Sequence, residues 1–125
     1  MGKMVEQRAH KRFKAQAGSL AVLGPKSKKM GQIIDISKGG LAFHYKNGVV
    51  EEPDDAYELS ILFDDRDNIT HRPFKFNASI VSDFEVENQV QFSTAVIKRC
   101  GVQFDDLTYY QQTWLDECIR NHTVR

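Results

Sequence analysis

Between Ala15 and Phe104 the apolar positions recur mostly at every second residue, in short runs separated by turn residues. Side chains of a strand alternate between its two faces, so this period predicts half-buried β-strands. Ser19 to Leu23 is the first, broken by Gly24-Pro25-Lys26-Ser27, where Pro has no N–H to donate and Gly permits positive φ. Gln32 to Ile36 is a second, and Ser37-Lys38-Gly39-Gly40 turns the chain into Leu41 to Tyr45, with Leu41, Phe43 and Tyr45 on one face. Asn47-Gly48 is another turn signal. Tyr57 to Phe63 alternates with Glu58, Ser60 and Leu62 between. Phe74 to Phe84 and Val90 to Lys98 read as a hairpin across Glu85–Asn88, and Gly101 to Phe104 closes the set. Six or seven short strands in ninety residues predict a barrel or sandwich, not alternating βαβ units.

The period then changes. Leu107, Tyr110, Gln111, Trp114, Leu115, Cys118 and Ile119 recur at spacings of three and four, as on one face of a helix. Thr108 followed by Gln111 fits a capping box, in which hydroxyl and amide side chains satisfy each other's backbone N–H groups. Trp114 at core spacing predicts packing of the helix onto the strands.

A length of 125 residues is one domain, large enough to hold a core without disulfide or metal. Cys100 and Cys118 are too few for a disulfide framework and read as structural thiols. No run approaches the ~20 apolar residues of a membrane span, and the polar, basic start has no secretory core. The expectation is a cytoplasmic protein, off the membrane. Net charge is zero, which argues against a nucleic-acid partner. Locally the balance fails. Residues 1–30 carry eight basic side chains against Glu6 alone, and residues 51–67 carry eight acids against Arg66. A basic N-terminal arm can recruit an anion or pair loosely with the acidic loops.

His10, His44, His71 and His122 are scattered and the cysteines lie far apart, so no metal-ligand spacing arises. No phosphate-cradling loop opens a helix and no nucleophile elbow is present. Nothing predicts an enzyme or a bound cofactor. Two constellations remain. Arg8-Ala9-His10-Lys11-Arg12, followed by Phe13, presents two guanidinium forks, each able to grip a phosphate or the O6/N7 edge of guanine. Asp35-Ile36-Ser37-Lys38-Gly39-Gly40 places an acceptor-only carboxylate at a strand end, a short hydroxyl beside it, and a glycine that lets a turn close or a ligand approach. The same residues read equally as a turn capped by side-chain hydrogen bonds. Forks followed by acceptors suit a ligand that carries phosphates and guanines together.

Arg8-x-x-x-Arg12 with Phe13, then Asp35-x-Ser37-x-x-Gly40, then Cys100-Gly101-Val102-Gln103-Phe104 before a helix, together resemble a PilZ domain over about Glu6 to Asn121. The resemblance implies an all-β core with a C-terminal α-helix: a six-stranded antiparallel barrel at 15–125, preceded by a flexible basic arm at 1–14. It implies binding of cyclic di-GMP. Arg8 and Arg12 would clasp phosphate and the guanine Hoogsteen edges, Asp35 and Ser37 would contact a guanine, and Gly40 would shape the turn beneath. Gln7 stands where an additional arginine favours a stacked ligand pair, which points to one ligand per chain. The arm has few apolar anchors, so it is expected to be mobile until the ligand orders it and to signal to a separate, unidentified protein partner. The acidic stretch Glu51–Asp67 is a candidate partner surface. The alternative is a ligand-independent PilZ-like adaptor acting through protein contacts alone.

Overall fold

The computed structural model describes residues 10–25, 29–46, 56–63, 74–86 and 96–124. Arg8, Gln7, the Asn47-Gly48 turn and most of the acidic stretch lie outside the described residues. Strand β1 is Phe13–Lys14, β2 Ser19–Gly24, β3 Lys29–Ile36, β4 Gly40–Lys46, β5 Tyr57–Phe63, β6 Phe74–Glu85 and β7 Ile97–Asp105, and the helix α1 is Tyr109–Asn121. All pairings are antiparallel. The ladder runs β3-β2-β5-β6-β7-β4 and closes through β4 on β3, so six strands form a barrel with no free edge. The short β1 adds to β3, with Phe13 opposite Ile36 and Lys14 opposite Asp35.

The alternation read from the sequence fills this barrel. Leu23, Ile33, Leu41, Phe43, Leu59, Ile61, Phe76, Cys100 and Val102 point inward and are buried. The run from Val90 and the run from Gly101 do not form separate strands in the described part: Ile97–Asp105 is continuous. Gly101 is a close-packing position rather than a break. It lies opposite Ala42 and Ser82, and a Cβ there would come within 2.5 Å of the Ser82 hydroxyl. The same approach distorts β6, where the register skips at Val81 and leaves that side chain exposed on a bulge.

Helix α1 begins where Thr108 and Gln111 predicted. The Gln111 backbone N–H donates to the Thr108 hydroxyl at 3.1 Å, and the Thr108 backbone N–H donates to Gln111 Oε1 at 2.9 Å. Leu115 and Cys118 enter the core, and burial pushes the Cys118 thiol up to about 12. Trp114 stacks on Phe74 at 4.4 Å and packs 5.8 Å from Phe63 and Phe76, pinning the helix to the barrel. After the helix, the chain crosses the root of the arm. Val124 N–H donates to Lys14 at 2.8 Å and Gln16 N–H donates to His122 at 3.0 Å, around a bridge between Ala15 and Thr123. Ala15 N–H in turn donates to Ile34 at 2.9 Å. Residues 14–16 are thus held between β3 and the C-terminal segment. Among the described residues no helix is long and apolar enough to cross a membrane.

Candidate ligand cleft

The site starts at an irregularity in β3. Its pairing with β4 skips between Ile33 and Asp35, so Ile34 is an extra residue, and Asp35 lands opposite Ala42 on the outer wall. Ala42 is in turn opposite Gly101, so small residues occupy the wall beside Asp35. Long side chains from both directions reach the carboxylate. Arg12 Nη1 donates to Oδ1 at 2.7 Å, and Arg99 Nη2 donates to Oδ2 at 3.2 Å. Arg99 comes from β7 and lies 5.9 Å from the Phe84 ring. Each Asp35 oxygen therefore has a guanidinium partner, one from the arm and one from the barrel. Charge-assisted bonds of this kind contribute about 1.5–3 kcal/mol each when shielded and less in water. These three side chains are only partly shielded.

His44 lies opposite Arg99 in the β4–β7 ladder. Burial first, and then the Arg99 guanidinium, lower its pKa from the usual 6.5, since both disfavour a second positive charge. The Arg12–Asp35–Arg99 array thus has a neighbour that resists protonation.

Ser37 is buried, and its hydroxyl is fully engaged in the turn. It accepts from Gly39 N–H at 3.1 Å and Gly40 N–H at 3.2 Å, and it donates to Gly40 O at 3.3 Å. Ser37 N–H also donates to Gly40 O at 2.8 Å. Gly40 has to be glycine because a Cβ would stand 2.1 Å from the Val102 carbonyl oxygen. At Gly39 a Cβ would come 2.8 Å from His10 Cδ2, so this glycine leaves space for the arm's imidazole. Gly39 O accepts from Phe104 N–H at 2.9 Å, which ties the turn to the end of β7.

Beside the turn opens a cleft of about 530 Å³, within the range of small-ligand sites. His10 and Arg12 line its arm end, the 37–40 turn its floor, and Val81, Gln103, Leu107 and Gln112 its helix end. Lys38 reaches from the turn to Asp116 of α1 at 3.2 Å. The structure places Arg12 on Asp35, two residues before the turn that Ser37 and Gly40 form; Arg8 lies outside the described residues. Arg99, Gln103 and Gln112 were not singled out from sequence. Arg99 is 64 residues from Asp35, and no local pattern signals that contact. Among the described residues no cluster of His, Cys, Asp and Glu could hold a metal ion.

Comparison with known proteins agrees with this fold. The PilZ domain family profile matches residues 6–121. The PilZ domain of Escherichia coli YcgR, solved with c-di-GMP, superposes with a TM-score of 0.70 at 15% identity, over 94% of this chain and 92% of that one. A longer YcgR structure in complex with c-di-GMP gives 0.67 at 16% identity, over 93% of this chain and 46% of that one. The Bacillus subtilis inhibitor of motility MotI/DgrA gives 0.62 at 17% identity, over 93% and 51% respectively. The chain spans about half the length of the last two. A search of curated protein sequences finds no match.

Proposed function

The chain belongs to the PilZ domain family, and from that premise we propose that it is a binding module for cyclic di-GMP rather than an enzyme. One observation carries the reading. Arg12 is already seated on Asp35 beside the Ser37–Gly40 turn, at the arm end of a cleft of about 530 Å³. Residues 22 or more positions apart in sequence thus form one face with both a phosphate-gripping fork and a base-facing acceptor.

The roles follow from what each group can do. Arg12, with Arg8 beyond the described residues, supplies positive charge to the two phosphates. Asp35 keeps free lone pairs on both oxygens and accepts from guanine N1–H and N2–H₂, while Arg99 holds the carboxylate in place. Ser37 contributes through the turn it fixes, which presents backbone at the floor of the cleft. Gly40 lets that turn lie against β7. From the root seated at residues 12–14 the arm closes across the bound ligand, at a cost of about 1–2 kcal/mol for each residue it fixes that several charge-assisted contacts offset. Because the arm root lies between β3 and the C-terminal segment, ordering the arm changes a surface that a separate protein partner reads. Action inside the cytoplasm fits this role.

A second reading, the ligand-independent adaptor, is favoured by one specific observation: the polar groups of Asp35 and Ser37 already have protein partners. Thermal unfolding separates the two. A ligand at one hundred times its Kd stabilises the folded state by about 2.7 kcal/mol. The receptor reading expects cyclic di-GMP to raise the Tm of the wild type, and to raise that of an Arg12→Ala variant by clearly less at the same ligand concentration. No rise with the wild type at millimolar ligand supports the adaptor.

A further inference from the structure

The cleft is longer than the motif residues account for. Its arm end has a floor and a charged wall built by Arg12 and the 37–40 turn, where polar side chains are engaged with one another. Its helix end is different. Gln103, on β7 directly opposite Gly40, and Gln112, in the first turns of α1, both line the cleft and are exposed. Among the described residues neither side-chain amide has a hydrogen-bond partner. The neighbouring lining is apolar: Val81, which the β6 bulge leaves 60% exposed, and Leu107, half-buried.

A primary amide holds a donor and an acceptor in one plane. That pair matches the edge of a purine, which offers donor and acceptor side by side. Apolar surface next to such amides suits the flat face of a base, which gains by leaving water. Resting on the cyclic di-GMP reading above, we propose that Gln103, Gln112, Val81 and Leu107 form a second purine-base subsite. It takes the base of the cyclic dinucleotide that Asp35 does not hold. The amide of Gln103 or Gln112 accepts from guanine N1–H and donates to O6. An amide can also flip to present the opposite order, so this subsite adds affinity for a purine, while the choice of guanine lies at Asp35. The subsite also makes α1 a part of the ligand-binding wall and gives the ligand a direct contact with the helix.

Calorimetric titration with cyclic di-GMP tests this on the wild type, Gln103→Ala, Gln112→Ala and the double variant. Both side chains are exposed and have no hydrogen-bond partner among the described residues, so the variants should melt with the wild type. The expected result is an affinity loss of about tenfold for the double variant. In the ¹⁵N spectrum the side-chain amide resonances of both glutamines should shift with ligand. Wild-type binding with unchanged affinity in the double variant, or glutamine amides that stay fixed while the Ser37–Gly40 backbone shifts, would overturn the subsite. A wild type that does not bind at all would instead overturn the receptor reading beneath it.

Discussion

The two ends of the cleft solve the same problem in opposite ways. At the arm end nearly every polar side chain is engaged with another part of the protein: Asp35 with Arg12 and Arg99, Ser37 with its own turn, Lys38 with Asp116. At the helix end the amides of Gln103 and Gln112 line the opening with no hydrogen-bond partner among the described residues. A polar group already bonded within the protein contributes to stability, and a ligand gains from it only by sharing or exchanging its partner. A group bonded only to water leaves stability almost untouched when removed. Substitutions at the arm end should therefore change stability and binding together, and substitutions at the helix end binding alone.

The largest expected effect at the arm end is that of Gly40→Val. Its Cβ would meet the Val102 carbonyl oxygen at 2.1 Å, a backbone atom that cannot swing aside. Overpacking of that kind costs about 1–3 kcal/mol or more, so chemical denaturation should show a clear drop in stability and titration a loss of ligand binding. Asp35→Ala comes next. It leaves two guanidiniums without their shared carboxylate, and about 1–2 kcal/mol of stability should go with it. Cyclic di-GMP affinity should fall by about tenfold or more. A large Tm loss with intact affinity would reduce Asp35 to a structural role. Arg12→Ala removes one fork but leaves Asp35 with Arg99. The expected outcome is affinity weakened by about tenfold and a Tm lowered by less than in Asp35→Ala, since one guanidinium still holds the carboxylate.

The smallest effect is a pH dependence at the back of the arm end. The folded protein holds the pKa of His44 below 6.5. The unfolded chain takes up that proton first, so this contribution to stability is complete above about pH 6.5 and declines as pH falls below it. Denaturation curves at pH 7.5 and 5.5 should show that decline, and His44→Gln should make it shallower. An identical slope in the variant would place the effect on another group.

The barrel was legible in the sequence wherever one face of a strand is buried and the other wet, as in Tyr57–Phe63, because period two is then imposed by solvent. The helix start was legible because a capping box is a local bond pair. Strand β1 was not. Phe13–Lys14 is two residues inside a basic arm, and its place on β3 depends on its distant partners Ile36 and Asp35. Gly101 was read as a strand boundary because glycine usually marks one. Here it marks the close approach of Ser82 across the β6 bulge. The Asp35 motif announced the turn at Ser37–Gly40. It did not announce that Arg12 and Arg99 already occupy both carboxylate oxygens, since those contacts follow from strand order and not from spacing.

The most direct test is isothermal titration of the full chain with cyclic di-GMP, with GMP and cyclic di-AMP as controls. The account predicts saturable binding selective for cyclic di-GMP, with one ligand per chain as Gln7 implies. Absence of binding heat at several temperatures, or equal binding of cyclic di-AMP, would contradict it.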